Sequence, residues 1–440
     1  MQIKPFRAFR FDPDVVGNVG DCIAPPYDVI SAAQQRRLYE RNQYNVVRII
    51  KPETSPAARN TADPYTRAAA CLDKWIQTGV LKQDSTEAIY GYLQDFQIAS
   101  KAFRRLSFIA LARLEEFGPP GPVRPHERVL NEPVLDRLNL KRATEADLGL
   151  VLMLYEDQDR TAEKIIEPVA TTGPVIDFSD EQNVRHRLVA ITEKADIDAI
   201  VNMMTQKTCV IADGHHRYTT GLTYAKQSPK PEAKYQMMAF TNICHEGLVV
   251  LPAHRLVQNV ENFPFSKLLS ELEKNFELTR YPFDDGPQAK STARGKMLAR
   301  MTAEQKKHKS AFGIYGPGSA FYVAVLKDPQ VMDAAMPDRS PAYRSLDVCV
   351  LHRLVIEQIL GINQGLQAKG QHLQYIKDSP GAIDEALAQI DAGQKQVAFF
   401  MNPVKMQQLM QVTNAGERMP PKSTYFYPKV YTGLTIYKLC

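Results

Sequence analysis

The stretch Cys209-Val-Ile-Ala-Asp-Gly-His-His-Arg-Tyr218 constrains the fold more than any other part of the chain. Its apolar start, residues 209–212, reads as a buried strand, and Asp213-Gly214 is a dipeptide that favours a tight turn. Beyond the turn, Tyr218, Leu222 and Ala225 fall at helical spacing, so residues 215–225 predict a helix. A strand that turns directly into a helix leaves backbone N–H groups without intrahelical acceptors at the positive end of the macrodipole. Gly214, two imidazoles (His215, His216) and the Arg217 guanidinium make that point a corner suited to phosphate. The same residues also suit a plain turn whose histidines are surface or satisfied core side chains, and local sequence does not choose between the two.

A chain of 440 residues is long enough for two or three domains and a substantial core. Hydrophobic residues make up 44% and charged residues 23%, proportions of an ordinary globular protein. The formal charge of +5 is spread along the chain, and basic runs such as 34–37 and 306–309 are short. They read as solvated helix faces, so a nucleic-acid partner is not expected. The cysteines at 22, 71, 209, 244, 349 and 440 form no C-x-x-C pair, which argues against zinc knuckles and disulfides and fits a reducing, cytoplasmic setting. The first ten residues lack an apolar signal core, and no run approaches the ~20 apolar residues that span a bilayer. The expectation is a soluble protein with no membrane segment, and a homo-oligomer is compatible with it.

Taken in order, the chain alternates strands and helices, which predicts a mixed α/β (α+β) fold. Residues 45–50 read as a strand and 57–63 as a polar connector. Residues 65–78 read as an amphipathic helix with Trp75 on its core stripe, and 88–97 and 105–114 as a hairpin with a connector at 98–103. Residues 134–148 predict a charged helix, 149–155 a buried strand, 234–241 a strand, and 346–360 one apolar helix. After residue 260 the α/β rhythm restarts. Two domains are therefore expected: 1–260, with the motifs around Asp28, His126 and Asp213, and 261–440, ending in the Pro-rich tail.

Four further segments carry usable chemistry. Two prolines hold the backbone extended ahead of Tyr27 and Asp28, and Asp28 could be a general base, a metal-facing carboxylate or an Asx-turn residue. The Pro/Gly loop 118–125 delivers His126-Glu127-Arg128, a base, a carboxylate and an anion-binding group, or else a solvated helix start with its own ion pair. His254-Arg255 closes an apolar run. The tail sets Lys422, Ser423, Thr424 and Lys429 among prolines and aromatics. It should lie extended against the body, where its lysines can meet an anion as point charges, or act as a Pro-rich strand cap. P-loop, dinucleotide-binding, zinc-helix and nucleophile-elbow motifs are absent from the sequence.

Residues 24–31 (APPYDVIS), His126-Glu127, 212–218 (ADGHHRY) and 419–429 (MPPKSTYFYPK), supported by 251–257 and 346–352, together resemble the bacterial and archaeal family known as domain of unknown function 1015. One departure is that Arg128-Val129 stands where a Lys-Thr pair is expected after His-Glu. The Asp213–Arg217 element is also similar to the phosphate-binding signature of the ParB/sulfiredoxin superfamily, which includes partition CTPases, sulfiredoxin and kinases of free serine. That resemblance implies a ParB/sulfiredoxin-like nucleotide-binding core followed by a C-terminal α/β domain.

The leading expectation is a phosphotransferase that uses ATP or ADP with Mg²⁺ on a small hydroxyl compound, with free serine as a candidate. Gly214, His215, His216 and Arg217 would hold phosphates, with Lys422 and Lys429 closing over the charge. Glu127 or Asp28, with His126, would handle the hydroxyl proton, and Asp213 would aid the metal. Tyr27, His254, Arg255, Ser423 and Thr424 would line the substrate. The alternatives are a non-catalytic ParB-like nucleotide-binding regulator and a metal-dependent hydrolase using His126, Glu127, His215, His216 and His254.

Overall fold

A computed structural model describes residues 1–53, 63–119, 121–127, 129, 131–284, 286–368 and 370–439. Most of the connector expected at 57–63, together with Arg128 and Cys440, lies outside them. The chain is mixed α/β and divides into two compact units, Met1–Val249 with Pro428–Cys440, and Val250–Tyr427. No helix among the described residues is long and apolar enough to cross a membrane.

The first unit is built on a nine-stranded mixed sheet. Its order is Val123–Pro125, Cys209–Asp213, Val151–Tyr155, Tyr235–Asn242, Lys101–Arg113, Ile89–Ile98, Arg185–Ile191 and Ile176–Ser179, with the short Ile3–Lys4 strand also on Lys101–Arg113. Two pairings are parallel, Cys209–Asp213 with Val123–Pro125 and Tyr235–Asn242 with Val151–Tyr155. Both faces are covered, so the strands read as almost continuous apolar runs. One face carries Leu93, Leu106, Phe108, Met153, Ile211 and Phe240, packed on the Thr161–Thr172 and Lys194–Thr205 helices through Ile166, Ile200 and Met204. The opposite face is partly polar. Cross-strand partners share a face, and the register pairs Gln94 with both Arg105 and His186, and Ser107 with both Tyr92 and Thr241. Ser107 and Thr241 join their hydroxyls at 2.6 Å.

A second core gathers the N-terminal segments around the Pro64–Gln77 helix, with Trp75 in it and edge-on to Phe11 and Tyr44. Residues 45–50, expected as a strand, form the short Val47–Ile50 helix. Asn45 is the reason. Its side-chain oxygen accepts the Val47 N–H at 2.9 Å while its amide donates to the Asp21 carbonyl at 2.7 Å, so a turn forms where β-branched residues favoured a strand. The hairpin connector is tighter than expected, because the strands run to Ile98 and from Lys101 with Ala99 at φ +51°.

A boundary near 260 would leave the tail in the second domain, but the last residues pair with the first unit. Thr432 bridges to Ala24, Ile436 to Phe9, and Tyr437–Lys438 pairs with Ala146–Asp147. Leu434 and Ile436 are fully buried there. Such pairing across hundreds of residues leaves no trace in local periodicity.

The second unit has a six-stranded antiparallel sheet, ordered Phe276–Pro282, Ala320–Leu326, Ala311–Tyr315, Val397–Met401, Ala253–Val257 and Leu373–Lys377. The Pro287–Lys306 and Ala382–Asp391 helices bury Met297, Met301, Ala386 and Ile390 against it. The apolar helix expected at 346–360 is an α-turn, Asp347–Val350, continued as a π-helical stretch, Leu351–Glu357.

In the first unit, a β-carbon on Gly247 would lie 1.7 Å from the Arg104 carbonyl oxygen, and backbone cannot move aside as a flexible side chain can. Gly247→Ala is expected to destabilise the protein by about 3 kcal/mol or more, read from the shift in denaturant midpoint. An unshifted midpoint would contradict this close approach.

Candidate functional site

The Cys209–Asp213 strand does turn directly into a helix, His215–Gln227, through Gly214 at φ +91°. A side chain is strained in that left-handed conformation, and a β-carbon there would also meet the Arg217 guanidinium at 3.1 Å. The strand is irregular just before the turn. Ile211 opposes Met153, yet Asp213 opposes Leu152, so Ala212 is an extra residue in the ladder. This bulge puts Asp213 on the face of Leu152 instead of the apolar face of Ile211, and so on the side that carries Arg105 and Gln94.

Asp213 is fixed by three groups. Its Oδ1 accepts the Gly214 N–H at 2.9 Å and lies 3.8 Å from the Arg217 guanidinium, while Oδ2 accepts from Lys429 Nζ at 3.1 Å. Burial pushes the carboxyl pKa up, but the charges of Lys429 and then Arg217 outweigh it and hold it well below the usual range. Arg217 is buried and also donates through Nη1 to the Leu150 carbonyl.

The two histidines of the corner have different roles. The buried His215 accepts the backbone N–H groups of His126 and Glu127 at its Nε2, at 3.2 and 3.3 Å. An acceptor nitrogen carries no proton, so this imidazole is neutral with its proton on Nδ1, and lacks the cationic charge expected of it. Half-buried His216 has its pKa lowered by desolvation, against the pull of Asp28 and Glu127. Those two carboxylates, 99 residues apart in sequence, therefore both act on one imidazole in the first helical turn. Asp28 is exposed, and the Glu127 side chain keeps 38% of its surface.

His126 is less a base than a strut. It is buried, its ring stands edge-on to His215 at 4.6 Å, and its Nδ1 faces the Ile211 carbonyl, which can only accept, so Nδ1 carries the proton. Burial lowers its pKa, with Glu127 opposing. Tyr27 lies under the Arg137 guanidinium at 4.0 Å and feels Arg217, and its phenol pKa is raised by burial. Tyr27, Arg137, Arg217, Gln236 and Thr432 are among the residues that line a cavity of about 60 Å³ beside the corner. Among the described residues, no three His, Cys, Asp or Glu side chains gather into a metal-ligating set.

The remaining candidates belong to the second unit. Arg255 is buried and donates from Nε to His352 Nε2 at 3.2 Å, from Nη1 to the Ala253 carbonyl and from Nη2 to the Lys422 carbonyl at 3.3 Å. Burial lowers its pKa to about 10 and that of His352 to about 3. His254 accepts the Met401 N–H through Nδ1, and its Nε2 lies 3.3 Å from Asp378. The Ser423 hydroxyl is spent on the Pro420 carbonyl, Lys422 is exposed at φ +58°, and Thr424 is half-buried. Within the first unit the segments around 27–28, 126–127, 213–217 and 429 therefore come together, and within the second unit Arg255 meets Lys422.

Sequence reasoning missed Arg105 and Gln94. Arg105 is fully buried in the same row as Gln94, which donates to the Lys429 carbonyl at 2.9 Å. The signal was available, since alternation through Ser107, Ile109 and Leu111 puts position 105 on a covered face.

The Asp213–Lys429 contact gives a pH-signed expectation. Because the fold depresses the Asp213 pKa, its stabilisation is present above the ordinary Asp value of about 4 and is lost as pH falls through the folded value. Lys429→Met should therefore cost about 2 kcal/mol at pH 7, with the gap to the parent protein closing in acid. Melting curves at pH 7 and pH 3 check this, and an equal gap at both would contradict it.

No curated protein matches the chain. Among solved structures, it is similar to one described as free serine kinase in complex with AMP, with 13% identity, 72% of this chain and 86% of that chain covered, and a TM-score of 0.33. It is likewise similar to a conserved hypothetical protein from Pyrococcus furiosus, with 14% identity, 73% and 92% covered, and a TM-score of 0.31. A third is SbnI with C-terminal truncation from Staphylococcus aureus, with 10% identity, 75% and 87% covered, and a TM-score of 0.32. The model of one family, described as protein of unknown function (DUF1015), matches residues 3–349, and the chain belongs to that family.

Proposed function

We propose that the first unit is a nucleotide-dependent phosphotransferase, with a ParB/sulfiredoxin-like core, acting on a small hydroxyl compound for which free serine is the leading candidate. The observation that supports it most is that the fields of Asp28 and Glu127 both reach His216, in the first turn of a helix that also bears Arg217 and follows the Asp213–Lys429 ion pair. Phosphoryl transfer needs little covalent help from protein; it needs positioned phosphates, neutralised charge and a base near the attacking hydroxyl.

In this reading the first-turn N–H groups after Gly214 and the His215 and His216 imidazoles hold the phosphates of ATP or ADP, and Arg217 and Lys429 supply positive charge. Asp28 or Glu127, both on the solvent side, takes the hydroxyl proton. Tyr27 lines the acceptor cavity. Mg²⁺, when bound with a nucleotide, would add charge neutralisation. Asp213 is not offered to it, because both carboxylate oxygens are engaged by Gly214, Arg217 and Lys429. Its role is to aim Lys429. His126 supports the corner from beneath.

The test is purified protein with ATP or ADP, Mg²⁺ and a panel of hydroxyl amino acids and related acceptors, followed by ³¹P NMR. A phosphorylated acceptor is expected. At least one of Asp28→Asn and Glu127→Gln should lower turnover by roughly 100-fold or more, with nucleotide affinity within about threefold of the parent protein. Nucleotide binding with no transfer to any acceptor would replace the kinase reading with a non-catalytic, ParB-like regulator. No binding at all would end both.

A further inference from the structure

Arg105 stands directly opposite Gln94 in the sheet, fully buried, on the face to which the bulge turns Asp213. A chain of contacts joins them. Arg105 Nη2 donates to Gln94 Oε1, Gln94 Nε2 donates to the Lys429 carbonyl at 2.9 Å, and Lys429 Nζ donates to Asp213 at 3.1 Å. Among the described residues, Nε and Nη1 of Arg105 meet no acceptor. Burial draws its pKa down to about 10, with Tyr92 and Asp213 resisting, so the group stays cationic at neutral pH.

A buried cation without a full set of partners is costly to keep. Here Lys429 and Arg217 hold the Asp213 carboxylate, Arg105 reaches it through its field, and a second buried carboxylate, Asp180, sits on His186 beside Gln94, while Asp28 and Glu127 reach solvent. Three cations, Arg105, Arg217 and Lys429, thus stand against two buried carboxylates, Asp213 and Asp180, which leaves one positive charge in excess, as a site for a highly charged anion requires.

We infer that Arg105 sets the charge selectivity of the phosphate corner, by docking the segment that carries Lys429 and by adding a buried positive charge, so that the corner prefers a nucleoside di- or triphosphate to a monophosphate. This rests on the phosphate-binding reading above and names the ligand class within it. Arg105 is a positioning residue, since it acts through Gln94, Lys429 and its field without touching the ligand.

The experiment is calorimetric titration of the full-length protein, Arg105→Gln and Arg105→Lys with adenosine, AMP and ADP at one fixed ionic strength. In Arg105→Gln the preference for ADP over AMP should fall on the order of tenfold, the effect of one nearby buried charge per added ligand charge, with adenosine affinity unchanged. Arg105→Lys keeps the charge and should keep most of the preference, which also decides the matter should Arg105→Gln not fold. An unchanged preference in Arg105→Gln, equal losses for all three ligands, or a preference abolished in Arg105→Lys would each overturn the inference while leaving phosphate binding intact. A parent protein that binds neither AMP nor ADP would instead overturn the phosphate reading, and this inference with it.

Discussion

The contact between Asp213 and Lys429 is the one on which the first unit's corner depends. A carboxylate at the end of a buried strand would ordinarily be driven towards its neutral form by desolvation. Here two cations hold it ionised, and a backbone N–H from the turn takes its other oxygen. The ion pair thereby joins the sheet, the helix start and the last segment of the chain at one point. Around it, His215 ties the turn to the 126–127 backbone and Arg217 ties it to the Leu150 carbonyl. The corner is cross-braced from four parts of the sequence.

Much of this was legible because it is local. A strand, an Asp-Gly turn and a helix with residues at 218, 222 and 225 follow from periodicity and turn chemistry, as does the core placement of Trp75. What was not legible depends on partners distant in sequence. Strict alternation would put Asp213 on the apolar face with Cys209 and Ile211, and only the extra residue at Ala212 turns it round. The charge state of His215 follows from two N–H groups supplied 88 and 89 residues away. Asn45 made a turn out of residues with strand propensity because the carbonyl it needed lies at Asp21. The return of residues 428–440 to the first unit is likewise written in pairings with positions 9, 24 and 146.

The second unit shows the same economy with buried charge. Among the described residues Arg255 has no carboxylate as a hydrogen-bond partner, and its three nitrogens are met by an imidazole and two carbonyls, with the Tyr375 ring 5.4 Å away. His352 can accept from it only while neutral, and burial secures that by drawing its pKa to about 3. In the same unit burial raises Asp347 to about 6, so its neutral form is available near physiological pH while Asn402 donates to it at 3.4 Å. Acidification thus acts in opposite directions on these two groups, against His352 and in favour of Asp347.

The position of Lys429 has a consequence for the order of events as the protein is made. It lies 216 residues after the carboxylate it neutralises, and domains tend to fold from the N-terminus as synthesis proceeds. The sheet, the turn and the helix start can assemble while the ribosome is still translating the second unit. Asp213 must wait for Lys429, the second of its two cations, until residues 428–440 have emerged. Before then a nascent chain has the corner's shape with one of the two cations, Arg217, that hold its carboxylate ionised.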